Sequence, residues 1–458
     1  MPENEVSAED LVARFLRFHG YNKTLDAFLN EANLPADAGE HLGPEWTVEK
    51  VLSEKKLYDL TANFEKTSLK EKDASWQTPY PSVASKLELE SPSNILQTNV
   101  VKMLVSPSDN EPSQVLLASS ADRKLNWAKL DGSSISSLSV FGLVADSPIL
   151  SFAIIKARYI ALTTISGALF LFDHWSDSVI SKRKDHSKYV IQVIATEYDS
   201  SLLLATASWD NSVILYRAAT GNNTITISEP LAKQKLDSQP ECIMFKEDPD
   251  TNTLYILCTR RDSTFLYYYQ VTKDDLLLAG KQNLAPFANS WISFSPSIIA
   301  ACPTDDTLLA IATSSMPHMK ILFIRTLFPR EELDSVTGAP IAVAPTQAAR
   351  DQDVDPREAA AVIIHANTWI SQTRYSTPTV VWRPDGSGVW VNSDEGYIKG
   401  VDRTGKVQAS LQQHDAGSKV RCLWAGNAMV GVSGKEEEII VSGGFDQNVF
   451  LWRCKEEE

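Results

Sequence analysis

A short pattern recurs along most of this 458-residue chain. In its clearest copies an apolar run is followed by a turn that contains an aspartate. An aromatic residue lies six positions after that aspartate, as Tyr216 follows Asp210 and Trp452 follows Asp446. Related turns at positions 122, 166, 210 and 262 are 44, 44 and 52 residues apart. Such periods are typical of solenoids and propellers, which grow by adding one unit at a time.

The repeated units have the composition of β-strands. From about residue 86 onward, short apolar runs of Val, Ile, Thr and aromatic residues alternate with turn residues, as expected of short strands. Counting the units gives seven, with predicted spans of 97–145, 146–184, 185–235, 236–284, 285–375, 376–413 and 414–458. The pattern is weakest in the first, fifth and sixth units, and a flexible insertion is predicted near 330–375 in the fifth.

The units resemble the blades of WD-repeat propellers, over about four-fifths of the chain. The resemblance implies a mainly β fold, a seven-bladed WD-repeat β-propeller over residues 85–458. Blades of that family often enclose a hydrogen-bonded set of His, Ser or Thr, Asp and Trp. The matching residues here are His186, Thr206, Asp210 and Tyr216 in the third unit, and His414, Ser442, Asp446 and Trp452 in the last. Because a buried aspartate must find donors, we assign these residues a structural role and not a catalytic one.

The last unit requires a partner strand from elsewhere in the chain. Its third strand ends at Trp452, close to the last residue of the sequence, and an unpaired outer edge would be exposed. Residues 85–91 alternate polar and apolar side chains, as a strand with one buried face does. We therefore expect this segment to pair with the last unit and close the ring.

The first 75 residues have a helical pattern instead. Leu11 and Phe15 lie on one face of a predicted helix that Ser7 can cap, and Gly20 is suited to end it. A second helix follows, with Leu25 and Phe28 on its apolar face. Helices this short are marginal in water alone. Pairing two copies into a four-helix bundle would bury both apolar faces.

This helical segment resembles a LisH motif, a dimerising helical hairpin. The matching positions are Leu11, Phe15, Leu16, Gly20, Tyr21, Thr24, Leu25, Phe28 and Glu31. The resemblance implies a LisH dimerisation motif at residues 7–35, with all of these positions except Glu31 as candidate dimer contacts. The alternative is a hairpin docked on the chain's own propeller. A helical extension is predicted at 36–75, including a third helix from Thr47 to about Lys66, and a proline-containing linker at 76–84.

Charge and cysteine content bear on partners and compartment. The formal net charge of −15 argues against direct nucleic acid binding and against anionic membrane surfaces. No apolar run is long enough for a membrane span, and no secretory signal is found. The five cysteines are odd in number and widely spaced, which favours reduced thiols in the cytoplasm or nucleus.

The motifs of common enzymes are missing from the sequence. It contains no phosphate-binding loop, no HExxH, no CxxC and no GxSxG. We therefore expect no catalytic residues, no metal and no cofactor. Residues 331–358 contain three prolines and are predicted to be a flexible loop, either a spacer or a docking segment.

These observations predict an intracellular, non-enzymatic scaffold or adaptor, a homodimer that presents its propeller surface to other proteins. LisH-bearing WD-repeat proteins as a group serve in transcriptional co-regulation, dynein regulation, splicing and ubiquitin-ligase complexes. Two alternatives stay open. One is a propeller-type enzyme with a loop-built active site, and the other is a substrate receptor of a ubiquitin ligase.

Overall fold

The computed structural model describes residues 8–40, 47–48, 76, 78–130, 135–142, 145–221, 224–286, 294–329, 356–430 and 436–455. The chain divides into two compact units, Met1–Ser68 and Leu69–Glu458. No helix among the described residues is long and apolar enough to cross a membrane.

The described strands of the second unit form seven four-stranded antiparallel sheets, the blades of a β-propeller. The strands of the first two blades are β2 (Ile95–Met103), β3 (Ser113–Ser120), β4 (Leu125–Leu130), β5 (Ser139–Val140), β6 (Ile149–Ile155), β7 (Tyr159–Thr164), β8 (Leu169–Asp173) and β9 (Ser178–Arg183). Those of the third and fourth are β10 (Val190–Tyr198), β11 (Ser201–Ser208), β12 (Ser212–Gly221), β13 (Thr224–Lys235), β14 (Pro240–Glu247), β15 (Leu254–Arg260), β16 (Phe265–Val271) and β17 (Leu276–Asn283).

The fifth and sixth blades contain β18 (Ser295–Ala301), β19 (Leu308–Ser314), β20 (His318–Arg325), β21 (Val362–Ser371), β22 (Val380–Trp382), β23 (Gly388–Asn392), β24 (Tyr397–Asp402) and β25 (Val407–Gln412). The seventh contains β26 (Val420–Met429), β27 (Glu436–Gly444), β28 (Val449–Arg453) and β1 (Val83–Leu87). The predicted mainly β fold with seven blades is confirmed.

The strand that closes the ring comes from the start of the propeller. β1 pairs antiparallel with β28, in a register that runs from Val83 opposite Arg453 to Leu87 opposite Val449. It begins two residues before the predicted segment 85–91 and ends at Leu87, which is 1% exposed. This pairing gives β28 a neighbour on its outer side and completes the seventh blade.

The apolar cores lie between neighbouring blades. Between blades three and four, Ala205 and Leu215 of one sheet pack with Ile243 and Ile256 of the next, and each is at most 1% exposed. Both faces of the middle strands are therefore covered, and β7 and β15 are buried at every residue. This explains why such strands are continuous apolar runs and not alternating ones.

The inner strands form the wall of a central channel. The first strand of each blade contacts the first strand of the next, in a closed circle from β2 through β6, β10, β14, β18, β22 and β26 back to β2. Glutamine side chains join some of these strands. Gln97 Oε1 accepts from the Phe152 backbone N–H at 2.9 Å, and Gln192 Oε1 accepts from the Ile243 N–H at 2.7 Å.

The fifth blade corrects the predicted insertion. The segment near 330–375 was expected to project as a loop, but its last part is a short helix, α3 (Pro356–Ala361), followed by β21. β21 pairs with β20 as the outer strand of the blade. Ile364 and Ile370 supply the apolar contacts that fix it there, since both are at most 5% exposed. Residues 330–355 lie outside the described part.

The first unit contains two helices, α1 (Ala8–Phe18) and α2 (Asn22–Glu31). Gly20 has a φ of +73° between them, as the predicted break requires. Its N–H donates to Arg17 O at 3.1 Å, and the Tyr21 N–H donates to Leu16 O at 2.9 Å. This pair of bonds is a Schellman motif, which satisfies the last carbonyls of a helix. Ser7 and the predicted third helix, apart from Thr47 and Val48, lie outside the described residues.

The helix pair has a small core of its own. Ala13, Leu25 and Ala38 are each at most 5% exposed, and the apolar residues packed against them are Leu16, Phe28, Leu29 and Leu34. Gly39 lies so close to α1 that a Cβ there would be 2.6 Å from Asp10 O. Phe18 and Tyr21 are left 79% and 53% exposed. The hairpin therefore keeps exposed apolar surface even with its core formed.

Candidate interaction site at the central channel

The predicted polar residues of blade three lie together inside the blade. His186 Nε2 is 2.8 Å from Thr206 Oγ1, and His186 Nδ1 is 3.0 Å from Asp210 Oδ2. Burial acts to raise the pKa of Asp210, but donors that include Ser212, the Ser187 N–H and His186 outweigh it and hold that pKa at about 2. The fourth predicted member, Tyr216, donates its hydroxyl to Asp185 at 3.2 Å.

Blade seven contains the same arrangement with a tryptophan. His414 Nδ1 lies 2.9 Å from Asp446 Oδ2, and His414 Nε2 lies 2.9 Å from Ser442 Oγ. Trp452 Nε1 donates to the same Ser442 oxygen at 2.9 Å. The side chains of His414 and Asp446 are both 0% exposed. All four residues are thus used inside the blade, where they join two strands to a turn and have no access to a ligand.

Other blades fix the corresponding turn with serines. Asp122 of blade one accepts from Ser120 Oγ at 2.6 Å and Ser91 Oγ at 2.7 Å. Asp394 of blade six accepts from Ser376 Oγ at 2.5 Å. Serine pairs of this kind have little sequence signature, which is why the repeat looked degenerate in these blades although the turn is held in a similar way.

The large cavity of the propeller lies in the central channel. Its volume is about 1660 Å³, and inner strands of all seven blades contribute to its lining. It opens on the face that carries the turns between second and third strands, including Trp209 and Asp262, and the connections between blades, including Asp237 and Thr373. Loops at such a mouth are free to vary because the blades support them.

A β-bulge recurs near the start of the inner strands. In six of the seven described inner strands the register with the second strand shifts by one residue. The extra residues all line the cavity; they are Leu96, Leu150, Ile191, Glu241, Ser297 and Arg421, and we call them the bulge ring. Bulges re-aim a side chain and are frequent next to functional sites. The repeat therefore presents one variable side chain per bulged strand to the channel.

The charged members of the bulge ring differ in their surroundings. Glu241 Oε1 accepts from Arg261 Nε at 2.7 Å. Burial raises the pKa of Glu241, and the Arg261 guanidinium opposes that rise. Arg261 also lies 5.3 Å from the centre of the Trp209 ring. The charge of Glu241 is thus compensated from within the mouth.

Arg421 has no such compensation. No hydrogen bond or ion pair joins its guanidinium to any residue of the described part of the chain. Burial lowers the pKa of Arg421, and the charges of Glu241 and Asp394 offset this only in part. Arg421 is the cation in the bulge ring whose positive charge faces the channel without a partner among the described residues.

One known protein family matches the part of the chain that contains all the strands and channel residues described above. A family model described as UCP007778, beta-propeller domain, matches residues 59–453. The chain belongs to this β-propeller family. The match spans every blade and every residue of the bulge ring. No curated protein matches the chain significantly.

The mouth of this family member's channel is basic and partly apolar. Its lining includes five basic residues (Arg260, Arg261, Lys281, Arg374 and Arg421) against three acidic ones (Asp237, Glu241 and Asp262), a surplus of two positive charges. The whole chain has a net charge of −15. Met316 and Tyr375 also line the mouth and are 59% and 84% exposed.

The described residues include cysteine thiols but no cluster of metal ligands. The described part of the chain contains no group of three or more His, Cys, Asp or Glu placed to hold a metal ion. The five cysteines are unpaired, and four of them are buried. Burial raises the pKa of Cys242 and of Cys422 to about 11, so these two thiols stay protonated near neutral pH.

Sequence reasoning placed the blade residues but missed the channel. Arg421 follows Val420 in an ordinary apolar strand, and nothing in its neighbours marks it. An alignment of the first strands of all units would reveal one position that varies between aliphatic, acidic and basic residues. That position is the bulge, and the strand register explains why its side chain faces the channel.

Proposed function

We propose that this protein is a non-enzymatic interaction scaffold, a LisH-type homodimer whose WD-repeat propeller binds partner proteins at the channel mouth, in the cytoplasm or nucleus. The observation that carries the proposal is the concentration of aromatic, methionine and arginine side chains on the rim of one open channel. The rim includes Tyr375, Met316, Trp209 and Arg261.

The composition of the mouth supports a protein partner. Aromatic residues, Met and Arg are enriched in the cores of protein interfaces and among their energetic hot spots. The cavity of about 1660 Å³ is larger than the 300–1,000 Å³ or so of small-molecule sites. A polypeptide segment fits these dimensions better than a metabolite.

The titratable groups support a role without catalysis. His186 and His414 are held inside blades by aspartates at 3.0 and 2.9 Å. Glu241, the carboxylate in the bulge ring, is engaged by Arg261. A general base needs an available lone pair at the reacting atom, and these three groups are already hydrogen-bonded.

The binding proposal is tested by affinity purification and mass spectrometry with the full chain. Tyr375→Asp adds a charge to an 84% exposed rim position, and Leu278→Asp adds the same charge to a 56% exposed position on the outer strand of blade four. We expect Tyr375→Asp to lose the partners that Leu278→Asp retains. The same partner set in both variants, or no partner for the wild-type chain, contradicts binding at the mouth.

The helix pair supports dimerisation. Val12, Phe18 and Tyr21 are 40%, 79% and 53% exposed, although Leu25 is used in the hairpin's own core. Apolar surface that remains on two short helices favours a second copy as its cover.

The His–Asp pairs of blades three and seven support the WD-repeat assignment.

Light scattering on the full chain tests the dimer. We expect the wild-type protein to have the mass of two chains and Tyr21→Lys that of one, because lysine would be desolvated at the predicted helical interface. Leu278→Lys serves as a control of similar exposure, outside the helix pair, and should stay dimeric. A wild-type mass of one chain would contradict the proposal and favour docking of the hairpin on its own propeller.

A further inference from the structure

Arg421, which is partly exposed in the channel, differs from the fully buried Arg383. Arg383 is 0% exposed, and its guanidinium donates to Glu438 Oε2 at 2.7 Å, to Ser387 Oγ at 3.0 Å and to Thr78 Oγ1 at 2.9 Å. A buried cation needs such partners, because an unpaired charge away from water is strongly destabilising. Arg383 therefore shows how this chain satisfies a structural arginine, and Arg421 lacks every element of that arrangement.

The fold itself does not require a charge at the position of Arg421. The equivalent bulge residues of blades one, two and three are Leu96, Leu150 and Ile191. These aliphatic side chains occupy the same place in the same kind of strand. A position that accepts leucine in two blades gives no structural reason for an arginine in the seventh.

The carboxylates that influence Arg421 are already engaged elsewhere. Glu241 is held by Arg261 at 2.7 Å, and Asp394 is held by Ser376 at 2.5 Å and Lys419 at 3.3 Å. The sequence of residues 287–293, next to the lining residue Phe294, contains no Asp or Glu. An anion for Arg421 is thus best supplied from outside the described channel.

We propose that the channel mouth binds an acidic peptide segment of a partner protein, with one carboxylate or phosphate seated on Arg421. This inference rests on the proposed binding at the mouth and deepens it by naming the chemistry of the partner.

The neighbours of Arg421 define the rest of the peptide. Around the ring of blades, the aliphatic arc of Leu96, Leu150 and Ile191 lies between Arg421 and Glu241. An apolar side chain of the peptide would lie on this arc while its acidic neighbour pairs with Arg421. A guanidinium binds carboxylate or phosphate in a bidentate manner, and the positive surplus of the mouth attracts further acidic residues.

The test measures fluorescence anisotropy of a fluorescein-labelled octapeptide of alternating Glu and Leu with the full chain. A Gln–Leu peptide removes the charge, a phosphoserine–Leu peptide separates phosphate from carboxylate, and inorganic phosphate serves as a competitor. We expect Glu–Leu or phosphoserine–Leu to bind at least tenfold more tightly than Gln–Leu, and more weakly as salt rises. Equal affinity for all three peptides overturns the proposal.

Arg421→Leu is the informative variant, because it places in blade seven the residue that blades one and two already contain. We expect it to weaken binding of the acidic peptide at least tenfold with an unchanged or higher Tm. Arg403→Leu removes a charge from a turn on the opposite face, Asp402 to Gly405, and should change affinity less than twofold. Unchanged affinity in Arg421→Leu overturns the proposal, as does a lower Tm that accounts for the loss.

Three further outcomes distinguish other occupants. Tighter binding of a single-stranded oligothymidylate than of either acidic peptide assigns the mouth to nucleic acid and overturns the proposal. Residues 331–355 contain six acidic residues, and a tenfold gain in affinity when these are changed to Gln or Asn assigns the site to the chain's own segment. If Arg421→Leu keeps the partners that Tyr375→Asp loses, this inference fails while the proposed function stands.

Discussion

Blade seven contains two charged residues in contrasting surroundings. One belongs to the buried polar cluster and is fully hydrogen-bonded, and the other belongs to the bulge ring and has no partner among the described residues. In the cluster, Asp446 accepts hydrogen bonds from His414 and from the Asp415 N–H, at 2.9 and 3.2 Å. In the ring, Arg421 is not paired with any described residue. Both lie in the blade built from β26, β27, β28 and β1. The fold supplies every partner for the first and none for the second.

The difference separates residues that the fold needs from residues that a ligand can use. Polar residues with repeat-like spacing are noticed first in the sequence, and they prove to be enclosed in the blades. The channel cation has no repeat signature, since its equivalents in three other blades are aliphatic. Satisfied groups contribute to stability, whereas an unsatisfied charge reduces it and is retained where binding compensates.

The largest expected loss of stability follows from a substitution in the blade cluster. Asp446→Ala would leave His414 Nδ1 and the Asp415 N–H without an acceptor inside the blade, and we expect a loss of about 3–5 kcal/mol in the free energy of unfolding. Urea denaturation measures it. Asp415→Ala changes an exposed side chain that is adjacent to the cluster and should cost at most about 0.5 kcal/mol. Equal losses in the two variants would remove the distinction between cluster and surface.

A change of pH is expected to alter the free energy of unfolding by a smaller amount. Burial lowers the pKa of His186, against the opposing Asp210 carboxylate, while the unfolded chain has the ordinary value of about 6.5. As pH falls below 6.5, the unfolded chain binds a proton that the folded protein does not, so stability falls. The slope for one group is at most about 1.4 kcal/mol per pH unit. Asp210, with a pKa of about 2, adds a further loss from about pH 4 down to pH 2.

Denaturation at pH 7, 6 and 5 tests this expectation. We expect His186→Gln to be less stable than the wild-type chain at pH 7, because it loses the contacts with Thr206 and Asp210, but to lose less stability toward pH 5. An unchanged difference between the two proteins across this range would mean that His186 does not titrate as its burial implies.

The smallest change in stability is expected for a substitution in the bulge ring. Arg421→Leu removes an uncompensated charge from a position that accepts leucine in blades one and two, so we expect the free energy of unfolding to stay equal or to rise by about 1 kcal/mol. Calorimetry on the full chain measures the change. Arg383→Leu is the contrasting variant, and it should be strongly destabilising because Glu438 would lose its partner. A large loss in Arg421→Leu would place Arg421 with the structural arginines.

The sequence predicted the blades where strand, turn and aromatic residue keep a fixed spacing. Units around Asp210, Asp262 and Asp446 were located in this way, and the closing strand was found because residues 85–91 alternate in polarity. β21 was missed because residues 330–355 separate it from β20, and local spacing contains no information across such a gap. The bulge ring was missed for another reason. A bulge is one extra residue in a pairing, and pairing is a property of two strands.

The pairing of β1 with β28 determines when the seventh blade can be completed during synthesis. β1 is synthesised before the six other blades, and β28 after them, so the sheet that contains Arg421 is completed only when nearly the whole propeller has left the ribosome. A nascent or prematurely ended chain lacks that sheet and, with it, the cation at the channel mouth. The recognition that we propose for this surface would then be reserved for chains whose seventh blade is complete.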